Sequence, residues 1–209
     1  MKRNIFALSL LLLGWSLSSA ADLKTLFIEM PDSLLPTLTR SERMDFIDYL
    51  ESGMRARVRN KLDGESEMIL FEENRLVVRT SGAGRFEMVL FPKKRGGSLI
   101  CIIRTVTARY NDSRLSFYTE DWDPVPVGNL IELPKFDDYL TNEALKADSL
   151  AYFKKRSILR LQSVTPVDGA LEFCYTSLDY IGEDAERYRS WLKQDPLRYI
   201  WNGKRFKRQ

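Results

Sequence analysis

The sequence of 209 residues contains no histidine and only two cysteines, and these shortages exclude several classes of enzyme. Without histidine, a Ser-His-Asp triad, a Cys-His dyad and a histidine-ligated metal site cannot form. Hydrophobic residues make up 44% of the chain, charged residues 29% and aromatic residues 11%. These proportions exclude a disordered chain and a collagen-like repeat, and they are typical of a globular protein.

An apolar run over residues 5–17 follows two basic residues at the N-terminus and precedes a group of small residues. The run is too short to span a bilayer. The pattern is typical of a secretory signal peptide that is cleaved after Ala20 or Ala21. We therefore expect a signal peptide over residues 1–21. The mature protein is expected in the periplasm, without a membrane-spanning segment.

Charge is distributed unevenly along the chain. Removal of residues 1–21 takes away Lys2 and Arg3 and no acidic residue, so the formal net charge falls from +3 to +1. A protein this close to neutral is not expected to bind nucleic acid. Residues 187–209 nevertheless contain eight basic residues and a single acidic one, Asp195.

The last seven residues, 203–209, form a basic tail. Its cations are Lys204, Arg205, Lys207 and Arg208. Such a tail is suited to contact an anionic envelope polymer or lipid. The alternative is a solvated, frayed terminus.

Cys101 and Cys174 both lie inside apolar segments that resemble strands. An oxidising compartment permits a disulfide between them, and cysteine in such a segment also packs as a small hydrophobic residue. Because the sequence does not show whether the two strands are neighbours, both alternatives stay open.

Secondary-structure signals in the first half of the chain predict a helix followed by a sheet. Thr39 and Glu42 match a capping box, and the apolar spacing after them predicts a helix that ends at Gly53. Short strands separated by turns are predicted at residues 68–71, 76–80, 86–91, 99–107 and 115–118. Short connections cannot join parallel strands, so these strands should form an antiparallel meander.

The second half alternates between the two kinds of element. The pattern predicts a helix over residues 140–156, strands at 127–133, 158–164, 170–176 and 198–201, and a helix over 184–193. The whole order predicts a single α+β domain over residues 22–209, with a largely antiparallel sheet and flanking helices.

Acidic and aromatic residues are concentrated between the strand that ends at residue 118 and a proline at position 124. They are Tyr118, Glu120, Asp121, Trp122 and Asp123. Such a set could hold calcium, bind a sugar or supply paired acids for glycoside hydrolysis. The segment lacks the glycine and the regular ligand offsets of a calcium loop, so we expect neither a metal nor another cofactor. The competing interpretation is a strand end with inward aromatic rings and solvated acids.

Four segments resemble a family of exported proteins from Bacteroidales that is known only as a domain of unknown function. The segments are residues 27–36 (FIEMPDSLLP), 43–49 (RMDFIDY), 113–118 (SRLSFY, with Asp121 and Trp122 following) and 201–206 (WNGKRF). The resemblance implies a Gram-negative envelope and hence the periplasm, and it brings no catalytic residues.

Because no catalytic constellation is complete, we expect a non-catalytic periplasmic module that binds an envelope protein or polymer. The alternative is a carbohydrate-binding or glycan-active protein that uses the carboxylates at 120–123 and the aromatic residues Tyr118 and Trp122.

Overall fold

Seven antiparallel strands form the larger of two sheets in the computed structural model, which describes residues 22–157 and 160–209. The strands follow one another in sequence order, as a meander requires. They are β1 (Arg57–Arg59), β2 (Glu65–Phe71), β3 (Arg75–Arg79), β4 (Gly84–Pro92), β5 (Ser98–Thr107), β6 (Asn111–Tyr118) and β7 (Pro124–Val125). The antiparallel meander is therefore confirmed, and only the short edge strands β1 and β7 were not predicted.

The smaller sheet has four antiparallel strands in the order β11-β10-β9-β8. They are β8 (Gln162–Val167), β9 (Ala170–Tyr175), β10 (Leu197–Trp201) and β11 (Phe206–Arg208). The edge strand β11 comes from the basic tail, so the expectation of a frayed terminus is wrong. The physical reason is Phe206, which is only 3% exposed and anchors the segment. Of the strand predicted at residues 158–164, positions 158 and 159 lie outside the described residues.

Within the described ranges, six α-helices accompany the sheets. They are α1 (Leu23–Glu29), α2 (Arg40–Glu51), α3 (Val127–Leu130), α4 (Asn142–Lys146), α5 (Leu150–Arg156) and α6 (Ala185–Arg189). Short 3₁₀ helices cover Asp32–Leu34, Phe136–Tyr139 and Leu178–Asp184. In the part of the chain that the structure describes, no helix combines the length and the apolar character that crossing a membrane requires.

The capping box predicted for α2 is confirmed. The Thr39 hydroxyl accepts a hydrogen bond from the Glu42 backbone amide, and the Glu42 carboxylate accepts one from the Thr39 amide. Two otherwise unpaired groups at the helix start are thereby satisfied. At the other end, Gly53 has a φ of 68°, the left-handed conformation that commonly terminates a helix.

Two predictions for the second half were wrong. Residues 127–133 contain the helix α3 instead of a strand, and residues 140–156 form two helices instead of one. Ala144 and Phe153 show why, because both are fully buried in the same cluster. Residues nine apart lie on opposite faces of a continuous helix, so both can reach one cluster only if the helix breaks between them.

The larger sheet lies between two hydrophobic cores. Met88 and Ile102 face the helices α1 and α2, whereas Val89 and Ile103 face the smaller sheet. A third cluster gathers side chains from α4 to α6 and the neighbouring 3₁₀ helices. Burial on both faces explains why β4 and β5 are almost continuously apolar. The α+β class with a largely antiparallel sheet is confirmed.

Candidate functional site

The acidic and aromatic segment forms the tight connection between β6 and β7. The Thr119 backbone amide donates to the Asp123 carbonyl at 2.9 Å, and the Trp122 amide donates to the Thr119 carbonyl at 3.1 Å. Trp122 has a φ of 66°, which the turn requires. The segment is therefore a hairpin loop between paired strands.

The two aromatic rings of this loop are turned toward the protein interior. Tyr118 and Trp122 are half-buried and pack against the core beneath α1 and α2, with their ring centroids 5.8 Å apart. The indole nitrogen of Trp122 is buried and has no hydrogen-bond partner among the residues that the structure describes. A sugar-stacking platform needs a fully exposed ring face, and the core partly covers both rings here.

The three carboxylates of the loop do not converge. The Glu120 carboxylate accepts a hydrogen bond from the Ser98 backbone amide at 2.9 Å, and this contact ties the loop to the start of β5. Asp121 and Asp123 are exposed. Among the described residues, no three carboxylate, cysteine or histidine groups lie close enough together to hold a metal ion.

The two cysteines do not form the disulfide that the sequence left open, and both are free thiols. Cys101 is fully buried between the two sheets, where burial raises the pKa of its thiol far above the ordinary value. Cys174 is exposed on the opposite, outward face of β9. The smaller sheet therefore lies between the two thiols: Cys101 of β5 faces its inner surface, and Cys174 of β9 is on its outer surface.

The four cations of the basic tail have different surroundings. Arg208 forms an ion pair with Asp138, whose carboxylate also accepts from the Lys135 backbone amide at 2.7 Å. Desolvation of Asp138 opposes ionisation, but these two donors outweigh it and hold the pKa of Asp138 below its ordinary value. Arg205 and Lys207 are exposed.

The fourth cation of the tail, Lys204, borders a cleft of about 520 Å³ where the turn between β4 and β5 meets the turn between β10 and β11. Four cations surround this basic cleft, namely Lys93, Lys94, Arg95 and Lys204. Its apolar floor consists of Leu99, Val125, Leu130 and Trp201. Leu99 and Leu130 are buried, whereas three of the four cations are exposed, so charge lies at the mouth and apolar surface at the base.

Backbone and aromatic contacts hold the two turns together. The Lys94 amide donates to the Gly203 carbonyl at 3.2 Å, and the Trp201 indole nitrogen donates to the Pro92 carbonyl at 2.6 Å. Beneath them, the ring of Phe206 meets the ring of Phe91 edge-on at 4.8 Å. The basic cleft is therefore a fixed feature of the junction between the two sheets.

The electrostatics of the basic cleft are one-sided. None of the described residues that line it is acidic, and the Glu120 carboxylate beside the same turn accepts a hydrogen bond from the Ser98 amide. Within residues 22–157 and 160–209, no ion pair involves any of its four cations. Arginines on the larger sheet differ, because Arg75 and Arg85 both pair with the buried Glu87. Unneutralised cations around a concave surface favour binding of an anion.

Lys204 was predicted as part of the basic tail, whereas residues 93–97 were predicted only as a turn between two strands. The available signal was the run of three consecutive cations before two glycines. What no sequence pattern showed is that this turn contacts residue 203, more than a hundred positions later. The structure thus joins a part of the predicted basic tail to a cationic turn. The acidic loop contacts the end of the same turn through Glu120, which accepts from the Ser98 amide.

The fold and the cleft define an α+β protein of two antiparallel sheets with a basic cleft at their junction. A family model described as "Protein of unknown function (DUF3256)" matches residues 16–206, and the chain belongs to this family. The predicted resemblance to an uncharacterised family is confirmed in this respect.

The chain is also similar to a solved structure described as a domain of an uncharacterized protein from Porphyromonas gingivalis W83. The two chains are 26% identical, with a TM-score of 0.78, and the match covers 90% of this chain and 98% of that chain. No curated protein matches the sequence.

Proposed function

We propose that the protein is a non-catalytic binding module of the periplasm that recognises a negatively charged envelope protein or polymer through the basic cleft. The observation that carries the proposal is the group of four cations around one concave surface, none of which forms an ion pair with another described residue. The signal-peptide pattern over residues 1–21 supports the location.

The charge of the whole protein adds weight to this choice of surface. With a formal net charge of only +1 for the mature chain, non-specific attraction to anions is weak. Selective binding of an anion must therefore depend on a local concentration of positive charge and not on the net charge of the protein. The basic cleft concentrates four positive charges within one site of about 520 Å³.

The alternative, a carbohydrate-binding or glycan-active protein, finds less support in the geometry. Glycoside hydrolysis uses two carboxyl groups across one sugar bond. In the loop after β6, Glu120 is engaged by the Ser98 amide, and the aromatic rings pack against the core. The loop is built as a structural connection between β6, β7 and the start of β5.

A matched pair of charge-reversal variants tests the proposal. Lys94→Glu with Lys204→Glu removes cations from the basic cleft, and Lys146→Glu with Lys155→Glu makes the same change in net charge at exposed lysines elsewhere. Binding to dextran sulfate is measured for the mature protein at about 0.05 M and about 0.5 M salt, because added salt screens exposed charges.

We expect the wild-type protein to bind at the lower salt concentration and to release the polyanion at the higher one. The cleft variant should bind at least about tenfold more weakly, a loss of about 1.4 kcal/mol, and the control variant should change far less. Equal losses in both variants, or no binding by the wild type, would contradict the proposal. Cell fractionation with mass spectrometry tests the location, for which we expect a periplasmic protein beginning at Ala21 or Asp22.

A further inference from the structure

The basic cleft has a floor that an ion-binding site does not need. Leu99, Val125, Leu130 and Trp201 line it beneath the cations. A polymer that is held by charge alone contacts exposed cations and leaves such a floor uncovered. Pockets for small ligands typically measure about 300–1,000 Å³ and combine an apolar lining with a few polar groups.

The polar groups that line the cleft are all of one kind. The described lining residues include four cationic side chains and no side-chain carboxylate, amide or hydroxyl. A sugar needs hydrogen-bond acceptors for its hydroxyl groups, and this lining supplies none from its side chains. The indole N–H of Trp201 is already donated to the Pro92 carbonyl, so the ring presents apolar surface only.

From this arrangement we infer that the ligand of the basic cleft is an amphiphilic anion, with one phosphate or carboxylate head and a single aliphatic chain. The head lies among Lys93, Lys94, Arg95 and Lys204, and the chain lies along the apolar floor. This inference rests on the proposed function for the position of the anion-binding site, and it goes beyond that function in the ligand, because a single-chain amphiphile is neither a protein nor a polymer. It adds the requirement that affinity depends on chain length as well as on charge.

Chain length provides a direct measurement. Burial of one methylene group contributes about 0.8 kcal/mol, which corresponds to roughly fourfold in affinity. Butyl, hexyl, octyl and decyl phosphate are titrated into the mature protein by calorimetry, each below its micelle-forming concentration. Each two-carbon extension should tighten binding by up to about 15-fold until the floor is filled. Decyltrimethylammonium, with the same chain and the opposite charge, should not bind.

Two variants separate the head from the chain. Lys94→Gln with Lys204→Gln should weaken all the alkyl phosphates by a similar factor, because it removes charge and leaves the floor intact. Val125→Gln, at a half-buried position in the edge strand β7, leaves the charge unchanged and should reduce the dependence on chain length. Thermal unfolding curves check that both variants remain folded, and if Val125→Gln unfolds, the chain-length series on the wild type still decides the question.

The outcomes are distinct for the two proposals. Chain-length dependence that is reduced in Val125→Gln supports the inference. If all the alkyl phosphates bind equally while dextran sulfate is bound through the cleft, the inference is overturned and the proposed function stands. Binding to vesicles of anionic phospholipid without binding of decyl phosphate also overturns it, because the headgroup surface would then be the ligand. If neither dextran sulfate nor any alkyl phosphate binds, both proposals fail.

Discussion

Replacement of Gly203 by alanine is the sharpest test of how the basic cleft is held together. Gly203 lies between β10 and β11 with a φ of 85°, and a β-carbon there would lie 2.5 Å from Lys94 Cγ and 3.3 Å from the Lys94 backbone nitrogen. Gly53, at the end of α2, has a φ of 68° and would place a β-carbon in open space. The two glycines therefore share the backbone conformation and differ in their surroundings.

The expected magnitudes follow from this difference. Alanine in the left-handed region costs about 1 kcal/mol, and both variants carry this cost. At Gly203 the Lys94 side chain must also move, and a shift of the Lys94 backbone weakens its hydrogen bond to the Gly203 carbonyl, at a further cost of about 1 kcal/mol. Crowding adds about 1 kcal/mol more. We expect Gly203→Ala to destabilise the protein by about 3 kcal/mol and Gly53→Ala by about 1 kcal/mol.

Chemical denaturation of the mature protein measures both values. The slope of the unfolding free energy against denaturant concentration should stay the same, because neither change alters the surface exposed on unfolding. Gly203→Ala should also weaken binding of decyl phosphate, since it separates Lys94 from Lys204, and Gly53→Ala should not. Equal destabilisation by the two substitutions would refute the argument that the two turns are closely packed.

Three further predictions concern the rest of the molecule. Glu120→Ala should destabilise the protein by about 1 kcal/mol, because the Ser98 amide loses its acceptor, and the control Asp121→Ala should change stability by less than about 0.5 kcal/mol. A larger effect of the control in denaturation experiments would contradict this reading of the loop. Cys174 should react with a thiol reagent in the native protein and Cys101 only after unfolding, and equal rates by mass spectrometry would refute their assigned burial. Because the folded-state pKa of Asp138 is lowered, its stabilisation is present above the ordinary pKa and lost as the pH falls through the folded-state value. Asp138→Asn should thus cost about 1 kcal/mol at about pH 6, and denaturation curves of the two proteins should converge in acid; a constant difference would count against the ion pair.

Secondary structure in the first half of the chain was predictable because its signals are local. The capping box of Thr39 and Glu42 and the alternation of strands and turns depend on residues within a few positions of one another. The elements that were missed or wrong depend on distant contacts. The short strand β1 is defined by its pairing with β2. The break between α4 and α5 arises because Ala144 and Phe153 are buried in the same cluster.

The candidate site divides in the same way. The carboxylates and aromatics at 118–123 were predicted as a candidate site because they are close in sequence. Closeness in sequence does not determine where side chains point. Glu120 became a structural acceptor and Trp122 a core contact only when the loop met β5 and the helices. The turn at 93–97 showed only its charge in the sequence.

From the sequence alone follow the absence of histidine chemistry, the signal-peptide pattern, the α+β class and the excess of positive charge near the C-terminus. Each of these depends on composition or on periodicity over a short window, and such features do not change when the chain folds. Tertiary structure alone decided that Phe206 is buried and that Lys204 lies near Lys94 across a shared cleft. The reason is that burial and the proximity of charges are properties of pairs of segments, and here the two segments are separated by more than a hundred residues.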